Sequence, residues 1–145
     1  MRLKLTIEPR PVSTWGVTLA SRLPKDEWDE IRQRVYREAD YRCQVCGSNN
    51  RKLNCHELWG FDDRKLIQKF VGFECCCELC HDVHHFGRSK ETRSSTYIDK
   101  LIGHWCKVNK LTRADFLVYE KQIFELNKKR ADRPYIVKVG RRILV

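Results

Sequence analysis

Residues 77–85 have the sequence CELCHDVHH, and residues 43–46 have the sequence CQVC. In each stretch two residues separate a pair of cysteines, a spacing that lets one tight turn present both thiolates to a tetrahedral zinc ion. Two matching pairs predict one closed structural zinc site, with the ligands Cys43, Cys46, Cys77 and Cys80. Because a closed site has no open coordination position, it stabilises the fold and leaves chemistry to other residues.

Other ligand sets are compatible with the same sequence. Cys76 could replace Cys77, because three residues would then separate it from Cys80. His81 or His84 could replace a cysteine, as in mixed cysteine–histidine sites. With any of these sets, the long segment between the two pairs must fold so that it brings them together.

The segment between the pairs has the pattern of a hairpin. Residues 52–59 (KLNCHELW) are strand-like, residues 60–65 (GFDDRK) favour a turn, and residues 66–73 (LIQKFVGF) are rich in β-branched and aromatic side chains. The last stretch predicts a second strand, with a short helix as the alternative. A short helix that ends at Gly87 is predicted to follow, over residues 77–87.

Further elements are predicted on both sides of this hairpin. Apolar residues at steps of three and four predict a helix over about residues 25–40, and a second apolar stripe predicts one around Trp105. Thr112, with Asp115 three residues later, predicts the start of another helix. The alternating sequence LKLTI near the N-terminus predicts a strand, as does PYIVKVGRRILV at the C-terminus.

The composition is that of a basic globular protein. The 145 residues are 41% hydrophobic and 33% charged, and the formal net charge is +10. This charge favours a polyanionic partner, most commonly nucleic acid, and the alternative is a basic surface that serves only solubility. The sequence predicts no membrane span and no signal peptide. A cytoplasmic location is therefore expected, where thiols stay reduced and cysteine pairs bind metal.

Four of the five histidines occur in two places. His56 lies on the first predicted strand, and His81, His84 and His85 lie in the helix after the second cysteine pair. Zinc binding would tether that helix to the hairpin and bring its histidines near His56. On a helix His81 shares a face with the residues three and four positions later, so one face can offer imidazoles to a divalent ion. His85 and His104 are expected to be surface or packing residues.

The motifs CQVC, NCHELW and CELCHDVHH, in this order, resemble those of the HNH, or His-Me finger, nuclease superfamily. They are most similar to its zinc-stapled branch, in which two cysteine pairs clamp a ββα-metal hairpin. The resemblance covers a core of about residues 28–87. It implies an α+β fold with a zinc-stabilised ββα-metal core, flanking helices and short terminal strands. Residues 1–145 would then form a single domain, with a helical extension at about residues 92–133 and a terminal strand at about residues 135–145.

The resemblance also implies a reaction, the metal-dependent hydrolysis of DNA phosphodiester bonds by an endonuclease. His56 matches the general base, which takes a proton from the attacking water. His81 matches the helix histidine that binds the catalytic metal, Mg²⁺ or Mn²⁺, and His84, one turn later, is the second candidate. The metal would stabilise charge on the phosphate and the leaving oxygen. Nucleases that cut both strands often act as dimers, so the resemblance is compatible with a homodimer.

Two departures from the family pattern favour a different interpretation. Cys55 stands where Asp or His commonly precedes the base, and the middle Asn of the family motif has no match, since Gly72 lies near its place. Glu57 could supply a replacement oxygen ligand, but strand alternation points it to the face opposite His56. The alternative is a catalytically weakened HNH-fold module that binds nucleic acid or a protein partner, as a phage-type adaptor or inhibitor would.

A cluster of basic residues lies near the end of the last predicted helix. Its members are Lys128, Lys129, Arg130 and Arg133. They are candidates for sequence-independent contacts to DNA phosphates, which weaken with salt. The alternative is a solvated helix end whose positive charge complements the helix dipole.

Overall fold

The computed structural model describes residues 2–49 and 52–144 and has a mixed α+β fold around one small sheet. Strands β1 (Leu53–Asp62) and β2 (Ile67–Cys77) form an antiparallel hairpin. Two short strands extend the sheet, β3 (Ile136–Val139) parallel to β2 and β4 (Arg142–Ile143) antiparallel to β3. The helices are α1 (Leu19–Arg22), α2 (Lys25–Glu38), α3 (Glu78–His84), α4 (Phe86–Thr92), α5 (Ser95–Asn109) and α6 (Arg113–Arg130).

Different elements cover the two faces of the hairpin. His56 and Glu74 lie directly opposite each other on the face that meets α3. Glu57 and Phe73 lie opposite each other on the other face, where Phe73 packs against Trp28 of α2 with ring centroids 5.9 Å apart. Because both faces are covered, β1 buries His56 and Glu57 in succession, with exposed fractions of 3% and 8%. The strand therefore sends these two neighbours into separate environments.

Both hairpin strands are longer than predicted. β1 continues through the start of the predicted turn to Asp62, and β2 continues to Cys77. The register shifts between Leu58 and Trp59, which marks a bulge. Gly72, opposite Leu58, has a φ of 149°, a conformation that residues with a Cβ rarely adopt. A glycine at this point lets the long hairpin bend without strain.

The predicted N-terminal strand is wrong. The segment is irregular and pairs with no strand of the described chain. The N–H of Leu5 donates to Oδ1 of Asn109 on α5 at 3.0 Å, and the N–H of Ile7 donates to the hydroxyl of Tyr119 on α6 at 2.8 Å. The alternation correctly indicated burial, since Leu5 and Ile7 are 0% and 6% exposed. Helix side chains satisfy the backbone groups that a neighbouring strand would otherwise bind.

The predicted helices are present, with changes at their ends. α2 ends two residues earlier than the predicted range of about 25–40. Thr112 caps α6 as predicted, because its hydroxyl accepts from the N–H of Asp115 while the Asp115 carboxylate accepts from the N–H of Thr112. The C-terminal segment forms two strands rather than one, since a turn at Gly140, with a φ of 59°, separates β3 from β4.

An apolar core joins the end of the hairpin to the helical extension. Trp105 of α5 packs edge to face against Phe116 of α6, which packs in the same way against Phe86 of α4. The cysteines that end β2 belong to this core. Within the described residues, no helix is both long and apolar enough to cross a membrane.

Candidate metal centres

The four cysteines predicted to bind zinc converge on one point. The sulfur atoms of Cys43, Cys46, Cys77 and Cys80 all lie within 4.8 Å of one another. Cys46 Sγ and Cys77 Sγ are 3.7 Å apart. A tetrahedron of sulfurs about 2.3 Å from zinc has an edge of about 3.8 Å. The cluster can therefore hold a structural metal ion such as zinc.

Each cysteine pair forms a turn whose backbone supports one sulfur. The N–H of Cys46 donates to Cys43 Sγ at 3.4 Å, and the N–H of Cys80 donates to Cys77 Sγ at 3.5 Å. Hydrogen bonds with the thiols of Cys77 and Cys80 lower the pKa of Cys43, and the same contacts with Cys43 raise the pKa of both neighbours. These contacts favour the thiolate form at Cys43, and thiolate is the form that binds zinc.

The other ligand sets that the sequence allowed do not match the sulfur cluster. Cys76 is fully buried but groups with Glu74 and His84. Burial raises the pKa of Cys55 to about 12, so this residue remains a thiol. His104, predicted to be a surface or packing residue, lies at the edge of the site, with Nε2 3.2 Å from the sulfur of Cys80.

A second cluster contains three imidazoles. One ring nitrogen from each of His56, His81 and His85 lies within 4.8 Å of the other two. The centroid of His56 is 5.5 Å from that of His81 and 5.1 Å from that of His85, and the last two are 4.7 Å apart. Each pair meets edge to face, so the rings converge instead of stacking. Three nitrogens in this arrangement can hold a metal ion.

His81 of α3 and His85, the residue after α3, both reach this cluster. α3 ends at His84 instead of Gly87, and His85 has a φ of −102° and a ψ of 41°, outside the helical range. The N–H of His85 still donates to the carbonyl of His81 at 3.1 Å, so His85 keeps the position one helical turn after His81. The structure brings His85, which was expected to be a surface or packing residue, beside His56 and His81. His85 is thus an additional candidate ligand, whereas His84 belongs to a separate group with Glu74 and Cys76 that could also hold a metal ion.

His84 lies next to the cluster but has two partners of its own. Its Nδ1 is 2.8 Å from the carbonyl oxygen of Thr6, and its Nε2 is 2.7 Å from Oε1 of Glu74. Burial lowers the pKa of His84, but the hydrogen bond to Glu74 and the charge of that carboxylate outweigh it, so the pKa is raised. Two acceptors suit a protonated ring, which has no lone pair for a metal. The ring stacks on His56 with centroids 4.4 Å apart.

The two half-buried imidazoles of the cluster are neutral near pH 7. Burial lowers the pKa of His81 to about 4 and that of His85 to about 2. The positive charge of Arg88 on α4 contributes to both shifts in the same direction. Neutral imidazole is the form that binds metal, so both rings have a lone pair available.

A carboxylate from outside the hairpin contacts His56. Nε2 of His56 lies 2.9 Å from Oε2 of Glu8, and the two side chains are 3% and 11% exposed. No local sequence pattern indicates Glu8, because its contact with His56 joins residues 48 positions apart. The one signal available was its isolation, since Glu8 is the only acidic residue among the first 25.

Glu57 lies at neither cluster. Its Oε1 accepts from the N–H of Leu19 at 2.8 Å, and its Oε2 accepts from the N–H of Ala20 at 3.1 Å. These N–H groups open α1 and have no partner within the helix. Glu57 therefore stabilises the start of α1, and its candidate role as an oxygen ligand is withdrawn.

The basic residues near the end of α6 divide into two kinds. Lys128, Lys129 and Arg133 are exposed. Arg130 is only 7% exposed, and it donates to both carboxylate oxygens of Asp63, at 2.7 and 2.9 Å, and to the carbonyl of Pro9 at 2.7 Å. Arg130 thus holds α6 against the hairpin turn and the N-terminal segment, and it is removed from the predicted phosphate contacts.

Comparisons with protein-family models, with curated proteins and with solved structures found no match to this chain. The likeness to HNH nucleases therefore rests on the sequence motifs. The structure adds three groups of side chains that could hold a metal ion: the four sulfurs, the three imidazoles, and a third group of Glu74, Cys76 and His84.

Proposed function

We propose that this protein is a metal-dependent endonuclease of the HNH type that hydrolyses DNA phosphodiester bonds. The observation that carries the proposal is the convergence of His56, His81 and His85 beside a separate cluster of four cysteines. Four sulfur ligands suit a closed structural zinc site. Two nitrogen ligands, from His81 and His85, leave coordination positions for water and a phosphate oxygen, and the third imidazole, His56, is left free to act as a base. The chain order β1, β2, α3 supports a ββα-metal unit around the second site.

Each residue of the imidazole cluster has a proposed role. His81 and His85 hold the ion with neutral rings. His56, fixed on β1 between its neighbours, is the general base that takes a proton from the attacking water. A bound divalent ion would supply stabilisation of the charge on the phosphate and the leaving oxygen. The net charge of +10 favours approach of the polyanionic substrate.

The donor set favours a transition metal over Mg²⁺. The cluster offers three imidazole nitrogens, and no carboxylate of the described residues belongs to it. Imidazole suits ions such as Zn²⁺ and Ni²⁺, whereas Mg²⁺ and Mn²⁺ prefer carboxylate, carbonyl and water oxygens. The proposal therefore shifts the catalytic ion from Mg²⁺ or Mn²⁺ to a metal that prefers nitrogen ligands.

Plasmid cleavage tests both the activity and the choice of ion. Zinc-loaded protein, freed of loosely bound metal by dialysis, is incubated with supercoiled plasmid and one added ion at a time. We expect half-maximal nicking at a Ni²⁺ concentration at least about tenfold below that of Mg²⁺, because affinity for nitrogen sites rises from Mn²⁺ towards Ni²⁺. Equal or better nicking with Mg²⁺ would contradict the choice of ion. Absence of nicking with every ion would contradict the nuclease itself.

The exposed basic residues at the end of α6 are proposed to contact DNA. Arg130 ties this helix end to Pro9, the residue after Glu8, whose carboxylate touches His56. The basic surface therefore lies on an element that is connected to the imidazole cluster by two short contacts. Its members are Lys128, Lys129 and Arg133.

Replacing these three residues by glutamine should weaken the salt dependence of DNA binding. Each lost phosphate contact lowers the slope of log K against log salt by about 0.9. Arg130→Ala is the matched control, because it removes a charge from the same helix end but should lower the free energy of unfolding by about 1–3 kcal/mol instead. Anisotropy of a labelled duplex at several salt concentrations measures the slope. A wild-type slope in the triple variant would exclude this surface.

A binding module without catalysis is the second candidate. Cys55 precedes His56 where related motifs commonly have Asp or His, and Gly72 lies near the place of the family Asn. Gly72 adjoins the bulge at Leu58 and Trp59 and offers no ligand atom from a side chain. Plasmid that is bound but stays intact with every ion would favour this candidate.

A further inference from the structure

We propose that Glu8 is a positioning residue that fixes the ring of His56, with the proton on Nε2 and with Nδ1 left for the reaction. The inference rests on the proposed function, because Glu8 acts only through His56. It adds to the site a residue from the N-terminal segment, outside the hairpin and the helix that carry the imidazoles. It also gives that segment a role beyond covering the core.

The proposed position of the proton rests on the contact between His56 and Glu8. Oε2 of Glu8 lies 2.9 Å from Nε2 of His56, which is hydrogen-bond distance. An ionised carboxylate can only accept, so Nε2 must donate. In a neutral imidazole the other nitrogen then carries the lone pair. Nδ1 of His56 is therefore the atom that can take a proton from the attacking water.

The N-terminal segment is fastened on both sides of Glu8, so the carboxylate has a defined position. The N–H of Glu8 donates to the carbonyl of His84 at 2.9 Å, and the carbonyl of Thr6 lies 2.8 Å from Nδ1 of the same histidine. The N–H of Ile7 donates to the hydroxyl of Tyr119 at 2.8 Å. The segment is thus held by α3, which carries His81, and by the helical extension.

The second oxygen of Glu8 faces a buried cation. Oε1 lies 3.8 Å from Nε of Arg10, and both atoms lack a hydrogen-bond partner among the described residues. The guanidinium of Arg10 is itself fixed, because it donates to the carbonyls of Thr14 and Val17 at 2.9 Å each. The positive charge of Arg10 attracts Oε1 of Glu8. The other carboxylate oxygen, Oε2, is then directed towards His56.

The contacts of Glu8 fit a role in positioning His56 better than a role as a direct metal ligand. The group of side chains whose ligand atoms could share one ion contains His56, His81 and His85. The carboxylate of Glu8 is not part of that group. Histidines that serve a metal site commonly donate their second N–H to a carboxylate, which fixes both the proton position and the ring orientation. Loss of such a partner typically reduces activity about 10- to 100-fold.

The test combines proton assignment with kinetics in the zinc-loaded full chain. Nitrogen-15 NMR of the imidazoles should find the His56 proton on Nε2, in a slowly exchanging signal that Glu8→Leu abolishes. With plasmid and Ni²⁺, Glu8→Leu should lower kcat about 10- to 100-fold at unchanged KM. Glu8→Gln should lower kcat less than Glu8→Leu does, because the amide oxygen of glutamine can still accept a hydrogen bond from Nε2 of His56.

Glu57→Gln is the matched control, since Glu57 is a buried carboxylate next to His56 in the sequence that instead accepts hydrogen bonds from the backbone of α1. It should lower the melting temperature and leave kcat unchanged. A proton on Nδ1 of His56, a kcat for Glu8→Leu within twofold of wild type, or an equal loss in Glu57→Gln would overturn the proposal. Failure of the wild type to cut any DNA while the proton is on Nε2 would instead overturn the nuclease function and, with it, the catalytic importance of Glu8.

Discussion

Removal of the metal from the cysteine cluster should unfold most of this protein. Structural zinc sites in small domains bind with apparent free energies of about 10–16 kcal/mol. Whole domains are commonly stable by only about 5–15 kcal/mol, so loss of the ion can exceed the stability that remains. We expect the native far-UV circular dichroism signal to collapse when a strong chelator removes zinc. Metal analysis before the chelator is added should find about one zinc ion per chain, because one ion takes all four sulfurs of the cluster.

The position of the four sulfurs in the core explains why removal of zinc should unfold more than the two cysteine turns. Cys43, Cys77 and Cys80 are 3%, 2% and 0% exposed and pack in the same core as Trp105 and Phe116. Without an ion, the site would bury thiolate charge and unpaired thiols in this core, which is unfavourable. The two cysteine pairs also join the segment before β1 to the end of β2, so their release frees both ends of the hairpin.

Cys80→Ser should reproduce the effect without a chelator, because serine is a poor zinc ligand in a site of soft sulfur ligands. Cys106→Ser is the matched control, since Cys106 is a half-buried cysteine of α5 outside the cluster. It should keep about one zinc and lower the melting temperature by only a few degrees. Equal stability of Cys80→Ser and Cys106→Ser would show that the sulfur cluster holds no structural ion.

His56→Ala should lower kcat for plasmid cleavage by about 10²- to 10⁴-fold, the usual contribution of a general base. DNA affinity should change little, because His56 is 3% exposed and can contribute little to the surface that binds the polymer. Single-turnover cleavage at saturating protein, with Ni²⁺, separates the rate from binding.

His104→Gln is the control for the loss of a histidine as such, since His104 lies outside the imidazole cluster and near the sulfur of Cys80. It should retain zinc and cleave at close to the wild-type rate. Cleavage by His56→Ala at the wild-type rate would mean that another group is the base, or that a contaminating nuclease cuts the plasmid.

Local patterns predicted the parts of the site that depend on spacing. Two residues between cysteines identified Cys43, Cys46, Cys77 and Cys80, because this spacing is a property of one turn. The alternation in β1 correctly separated His56 from Glu57, because neighbouring strand residues point to opposite faces. Neither inference needed knowledge of the rest of the chain.

Features that depend on where an element ends, or on distant contacts, were not predictable in this way. A regular helix makes both His84 and His85 neighbours of His81, and only the packing of α3 on the hairpin shows that His85 joins His56 while His84 pairs with Glu74. Glu8 reaches His56 through the packing of the N-terminal segment against α5 and α6. A charge cluster in the sequence likewise did not reveal that the buried Arg130 pairs with Asp63 of the hairpin turn.

Anomalous diffraction from crystals of the zinc-loaded protein soaked in Ni²⁺ tests the imidazole site most directly. Data on both sides of the nickel absorption edge distinguish the two metals. We predict zinc among the four sulfurs and nickel about 2.1 Å from a nitrogen of His81 and of His85, on the side that faces His56. A cluster of three histidines that binds no nickel, or nickel held between His84 and Glu74 instead, would contradict the proposed catalytic centre.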